Sequence, residues 1–409
     1  MIEKFCEHFD VISGYAFKSA DLKDDGDIPV IKIGNISSGA NVVEDSTTQY
    51  VSKDFLKINE KYHIKKDDIL ISLTGSHINQ PNSMVGRVCR NYRDRIYLLN
   101  QRAGKVIPKK IESRDYIFYL LSSKCIKEDI ANRAYGAANQ VNISSSAIGN
   151  IKWDFPSIDM QKKIGDVLSS FDNLIETNNK RIKILEQMAE NLYKEWFVRF
   201  RFPGYERAEF VEGVPKGWKR CRLKEFINFN PNYKTEKKQY YTNIPMAALS
   251  TNGMYINEAE ISLEEKSSGT HFRNGDVLFA KITPCLENGK TGLVTCLKDN
   301  EIGVGSTEFI VMQGAKVSSF FTYCIARNDL LRQLAINSMN GADGRQRADI
   351  SFIQNIKWIL PDDEILLKFE HITSAIIKQI NILHKQNQNL IKQRDYLLPR
   401  LMSGKVQVK

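Results

Sequence analysis

The segment IKWDFP at 151–156 returns 205 positions later as IKWILP at 356–361. An internal repeat constrains a fold more than composition does, because each copy must build the same supersecondary unit. Carried forward at that offset without a gap, the repeat aligns two segments of helical periodicity, roughly 159–200 and 364–403.

In the first segment Ile164, Leu168, Phe171, Ile175, Asn178, Ile182, Leu185, Ala189, Leu192 and Trp196 alternate spacings of four and three. That is the heptad pattern of a helix that buries a seam. In the second, Phe369, Thr373, Ile376, Ile380, Leu383, Asn387, Leu390, Arg394, Leu397 and Leu401 fall at the same phase. Asn178 interrupts one seam and Asn387 with Arg394 the other, and polar groups in a coiled-coil seam commonly set register at a cost in stability. Two unrelated amphipathic helices would leave the shared phase and the shared IKW to chance.

The regions ahead of the helices correspond more loosely. KKDDILISLTGS at 65–76 matches FRNGDVLFAKIT at 272–283, a turn followed by a β-rich apolar run, and IPVIKIGNIS at 28–37 matches NIPMAALS at 243–250. Brief helices are expected at YIFYLLSS, 116–123, and FFTYCIARN, 320–328. The pattern predicts an α/β (α+β) chain with two globular domains separated by two long antiparallel coiled-coil helices, an internal duplication with pseudo-two-fold symmetry. The boundaries are a first domain at 1–150, a first helix at 151–203, a second domain at 204–355 and a second helix at 356–409.

If the helices pair antiparallel, the domains sit at opposite ends of a rod and the N-terminus lies near LLPRLMSGK at 397–405. A helix from Ile164 to Trp196 runs on the order of 50 Å, against about 35 Å for one turn of B-DNA. Such a ruler sets two recognition surfaces on one face of a duplex.

Charge is consistent with a polyanionic partner: 58 Lys and Arg stand against 48 Asp and Glu, a net charge of +10. The seven cysteines, at 6, 89, 125, 221, 285, 296 and 324, contain no C-x-x-C pair and read as buried free thiols in a reducing compartment. MIEKFCEHFD at the start lacks the basic and apolar runs of a signal peptide, and no segment reaches a membrane-spanning length, so a cytoplasmic protein is expected.

These features resemble the specificity subunits of type I restriction-modification systems. The resemblance covers essentially the whole chain and is carried by SGYAFKS at 13–19, the two IKW segments, LYKEWFVRFRFPG at 192–204, PKGW at 215–218, KITPCLENGK at 281–290, GADGRQRADIS at 341–351 and LLPRLMSGK at 397–405. It implies that each domain is a target-recognition domain for double-stranded DNA and that the helices are conserved spacers. It further implies docking of two adenine-methylating subunits and of ATP-driven nuclease subunits. Cofactors are expected in those partners, as S-adenosylmethionine, ATP and Mg, and none in this chain.

Catalytic motifs are sought without success. Asn230-Pro231-Asn232-Tyr233 approaches the Asn-Pro-Pro-aromatic tetrapeptide of adenine methyltransferases but lacks its second proline and any F-x-G-x-G companion. Pro361-Asp362 is followed by no Asp/Glu-x-Lys, and no phosphate loop occurs. The expectation is a non-catalytic subunit. Open alternatives are a stand-alone DNA-binding or anti-restriction protein of the same fold, an enzyme with degenerate motifs, and a coiled-coil adaptor that touches no nucleic acid.

Base reading needs polar side chains on loops, Arg or Lys for guanine and Asn or Gln for adenine. The candidates in the first domain are Lys18, Ser19, Ser76, His77, Asn79, Gln80, Gln101, Arg102, Asn139 and Gln140. In the second they are Tyr233, Lys281, Thr283, Asn288, Lys290, Arg345, Gln346 and Arg347, with the last three the strongest. The aromatic run Tyr193, Trp196, Phe197, Phe200 and Phe202 is broader than a two-helix seam needs and is the candidate docking face for a methylating subunit.

Overall fold

The computed structural model describes residues 2–408 except 38–41, 43, 45, 46, 81–83, 138, 139, 235–239, 266, 267 and 342–344. The chain divides into two compact units, Met1–Glu176 with Gln388–Lys409, and Thr177–Asn387. Each unit thus takes one domain and a part of each long helix.

In the first unit a four-stranded antiparallel sheet runs in the order Phe9–Ser13, Ala103–Pro108, Ile69–Ser72 and Val88–Arg90. Ile69–Ser72 is buried at every residue, as a strand covered on both faces must be. A second sheet orders Gln49–Val51, Ile28–Ile31, Tyr97–Leu99 and His63–Ile64, with its central pair parallel. The helix Arg114–Ser122 buries Tyr116 through Leu121 without a break, because it is enclosed all round rather than amphipathic.

The second unit repeats this plan. Its sheets order Ile227–Phe229, Phe309–Gly314, Val277–Ala280 and Thr291–Leu293, and Ser262–Glu264, Tyr241–Ile244, Gly303–Gly305 and Thr270–Phe272, again with a parallel central pair. The expected correspondences hold strand for strand: Ile69–Ser72 and Val277–Ala280 are the same inner strand, and Ile28–Ile31 matches Tyr241–Ile244. The brief helices fall where the repeat puts them, at Arg114–Ser122 and Ser319–Ala326.

The long helices are Ile158–Tyr193 and Asp363–Met402. Each starts at a capping side chain on matching positions of the repeat. Ser157 Oγ accepts the Met160 N–H at 3.4 Å, and Asp362 Oδ1 accepts the Ile365 N–H at 2.9 Å. Asp362 Oδ2 also accepts the Trp218 indole N–H at 3.2 Å, so the Pro361-Asp362 pair is a helix start. The first helix loosens into a π-helical turn at Lys194–Val198 and stops at Phe200, whose φ is 57°.

Both units contain antiparallel helix pairing. In the first, Asp172 meets Arg394, while Ile164, Leu168, Leu401 and Met402 share a core with Phe5 and Phe9. The N-terminal strand Ile2–Lys4 thus belongs with the end of the second helix, as expected. In the second, Asn178 bonds Asn387 and the rings of Trp196 and Phe369 lie 5.9 Å apart.

All seven cysteines are free, but the expectation that they are buried needs correction. Cys89 and Cys324 are buried, whereas Cys6 and Cys125 are exposed and the other three are partly so. Burial pushes the Cys89 thiol up to about 12. Among the described residues no helix is long and apolar enough to cross a membrane.

Candidate nucleic-acid interface

In the first domain the strand Gln140–Asn142 lies between Tyr135–Ala137 and the two-residue strand Thr74–Gly75. Thr74 Oγ1 donates to Asn142 Oδ1 at 2.7 Å. Next along this edge, the Leu73 N–H donates to the Arg102 carbonyl at 2.9 Å, and the Gln101 N–H to the Tyr15 carbonyl at 3.0 Å. The structure therefore brings the exposed Gln101, Arg102 and Gln140 to one edge. Gly14 makes the approach of the 13–17 segment possible, since a Cβ there would stand 2.3 Å from the Leu99 carbonyl oxygen.

Arg102 also acts on Lys32, which the sequence reading missed. Burial, and then the Arg102 guanidinium, hold the Lys32 ammonium below its usual value, and Lys32 Nζ donates to Gln49 Oε1. Two cations close enough to repel one another suit a phosphate.

His77, Asn79 and Gln80 form a turn beside this edge, with Asn79 and Gln80 exposed. Ser76 is a correction: it is buried, and its Oγ donates to the Gln80 carbonyl at 2.9 Å, so it closes the turn instead of facing a ligand. Lys18 and Ser19 are exposed on a separate short turn, where the Lys18 N–H donates to Asp21 at 3.2 Å. Asn139 lies outside the described residues.

The same edge in the second domain is built by the Arg345–Arg347 segment. The Ala348 N–H donates to the Lys281 carbonyl at 2.8 Å, and the Lys281 N–H donates to the Glu308 carbonyl at 3.0 Å. Arg347 exchanges both backbone bonds with Asn340, at 2.9 and 3.0 Å. Its guanidinium grips Glu308, with Nε 3.0 and 2.9 Å from the two carboxylate oxygens and Nη2 2.7 Å from one of them. The fork holds the Glu308 carboxyl below its usual range. Lys281, Arg345, Gln346 and Arg347 therefore share one surface, with Asn288 exposed on a neighbouring turn.

Three candidates of the second domain turn inward. Tyr233 donates its hydroxyl to Asp276 at 2.7 Å and accepts from Gln313 at 2.9 Å; burial, and then Asp276, raise its pKa. Lys290 Nζ donates to the Met246 carbonyl at 3.0 Å, and the Thr283 hydroxyl faces the Gln346 carbonyl at 3.3 Å. Lysine and tyrosine tips pair inside a domain when a carbonyl or carboxylate is buried within reach, and no local spacing reports that. Asn230, ahead of Tyr233, extends the sheet: its Oδ1 accepts the Val311 N–H at 2.8 Å and its own N–H donates to the Val311 carbonyl at 2.7 Å.

Two copies of one domain on one chain is also what comparison with known proteins finds. The family model for the type I restriction modification DNA specificity domain matches residues 4–187 and again 215–393. The chain belongs to this specificity family. The MjaIX specificity subunit of Methanocaldococcus jannaschii is 26% identical, with 97% of this chain and 91% of that protein covered. The EcoAI specificity subunit of Escherichia coli is 32% identical over a shorter stretch, 39% of this chain and 29% of that protein. The crystal structure of a type I system S subunit from M. genitalium shares the fold, with a TM-score of 0.55 at 15% identity, covering 98% of this chain and 95% of that one. Two recognition domains in one specificity subunit are thus established.

For this specificity subunit the aromatic run is a further correction. Tyr193, Trp196, Phe197 and Phe202 are buried and Phe200 is partly buried, all within the core of the second unit. Phe197 packs edge-on against Phe321 and Phe369, both at 4.9 Å, while Phe200 and Phe202 flank Trp218 at 5.6 and 5.0 Å. The run is broader than a seam because it also serves the domain that the helix enters, and only Phe200 keeps a partly exposed ring.

Proposed function

We propose that this chain is the non-catalytic DNA reader of a type I restriction-modification complex, contacting a two-part site on double-stranded DNA through one polar edge in each recognition domain. The observation that carries this reading is the twofold family match, each copy spanning a domain that exposes polar side chains at the same place: Gln101, Arg102 and Gln140 in one, Arg345 and Arg347 in the other. Exposed cations outside the edges hold phosphates and add affinity without specificity. The long helices act as the spacer that fixes the interval between half-sites.

In this reading two adenine-methylating subunits, and nuclease subunits driven by ATP, dock on the chain. They bring S-adenosylmethionine, ATP and Mg, while this chain supplies the address. Like its partners it would work in the cytoplasm, where the host DNA is.

The test is to co-express the chain with the methylating subunit of its own genome and to map methylated adenines in the host DNA. The expected outcome is one interrupted motif, of which only one half changes when one domain is exchanged. Methylation that is active but independent of this chain would overturn the reading.

A further inference from the structure

Arg347 carries five N–H donors in one plane. Glu308 occupies the side of the fork formed by Nε and Nη2, and an Nη1 hydrogen meets the Arg345 carbonyl at 3.3 Å. One hydrogen on Nη1 and one on Nη2 remain. Planarity sets the outward Nη1 and Nη2 hydrogens parallel at the outer end of the fork, and among the described residues no acceptor but the Arg345 carbonyl is in reach of Nη1 and none but Glu308 in reach of Nη2.

The pair is graded from inside to outside, the Glu308 side chain being 21% exposed and Arg347 49%. The carboxylate therefore stands behind the fork and the donor pair in front of it. The platform is stiff. Glu308 receives the Lys281 N–H at its carbonyl, its own N–H reaches Ser306 Oγ at 3.1 Å, and Arg347 is bridged to Asn340 on both sides.

An arginine on a flexible surface follows phosphates, as a point charge does. One clamped side-on by a carboxylate keeps a single direction and two parallel donors, the geometry that matches guanine O6 and N7 in the major groove. The first domain does not carry this device. At the matching position of the repeat stands Asn142, whose Oδ1 is taken by Thr74, and the place of Glu308 beside the inner strand is held by Arg102.

We infer that Arg347 reads a guanine in the half-site of the second domain and that Glu308 is the positioning residue that aims it. The inference rests on the DNA-reading function proposed above.

The experiment selects bound sequences from randomised duplex DNA with the full chain in complex with its methylating subunits. The wild type should select a two-part motif with a G·C pair in the second half. Arg347→Ala should relax that pair to any base, with roughly ten- to a hundredfold weaker binding of the original site, and leave every other position unchanged. Arg347→Lys, which keeps the charge and spares the fold, should lose the same preference while keeping affinity for unrelated DNA. Glu308→Ala should relax the same position to a smaller degree. Folded variants that all retain the wild-type preference at every position overturn the inference and leave the DNA-reading function standing. A folded wild-type complex that selects no motif overturns both.

Discussion

Asn178 donates its side-chain amide to Asn387 at 2.9 Å across the seam between the two long helices, where both residues are almost wholly buried. Asn387 passes its own amide on to Asn179, also at 2.9 Å. An amide pair inside an otherwise apolar seam has a low cost only while both members are present and in register. It marks one helix alignment against all the others that heptad packing permits.

Asn387→Leu alone leaves the Asn178 amide without its acceptor and should destabilise the chain by about 1–3 kcal/mol. Changing both residues to Leu should recover most of that loss, because a matched apolar pair has nothing left to satisfy. Chemical denaturation of the two single variants and the double variant checks this. Equal losses in single and double variants would mean that the amides do not act as a pair.

Asp172 holds a heavier network in the first unit. It accepts from Tyr119 at 2.5 Å and from Arg394 at 2.5 Å, with the two charged side chains 9% and 15% exposed. Asp172→Ala removes the acceptor of the buried Tyr119 hydroxyl and leaves the Arg394 guanidinium with Asp395 alone, and should cost about 1–3 kcal/mol, whereas Asp172→Ala with Arg394→Leu should cost less. Thermal unfolding of both variants measures the difference.

The His384 ring packs at a tilt against Tyr255, with centroids 4.1 Å apart, and its buried Nε2 has no hydrogen-bond partner among the described residues. Burial lowers its pKa, so the fold holds the neutral ring. With the folded value depressed below the unfolded one, at about 6.5, its contribution to stability is complete above that pH and is lost as pH falls through the folded value. His384→Phe keeps the ring contact and cannot titrate. The stability of the wild type relative to this variant should therefore fall as pH drops below about 6.5, and an unchanged difference would count against the assignment.

Ser76 and Gln140 separate structure from reading on the edge of the first domain. Ser76→Ala removes one turn-closing bond and should cost about 1 kcal/mol with no change in base preference. Gln140→Ala, at an exposed position, should leave stability within about 0.5 kcal/mol and alter one position of the first half-site. Melting curves with motif selection distinguish the two, and the reverse pattern would exchange their roles.

Phe197→Ala empties a site between Phe321, Phe369 and Trp218 and should cost about 3–5 kcal/mol in the isolated chain. A variant that unfolds normally and fails only in assembly would return the aromatic run to a docking role.

The repeat, the two helices with their shared phase, and the polar positions inside their seam were all legible, because heptad spacing and a fixed offset are one-dimensional properties. The strand pairs at 69–72 and 277–280 were legible for the same reason. The candidate edge was legible only as a set of polar loops. Ser76, Lys290 and Arg345 look alike as polar residues near glycines, yet two turn inward and one stays exposed.

By itself the amino-acid sequence determined the duplication, the helical seams and the family, since local periodicity and repeated motifs carry all three. Tertiary structure alone decided which donors remain available, because hydrogen-bond partners are chosen by proximity across the fold. Glu308 stands 39 positions before Arg347, on a different strand connection, and no spacing rule joins them. Only when the inner strand sets Lys281 between their two backbones does a carboxylate come up behind the guanidinium and give it a direction.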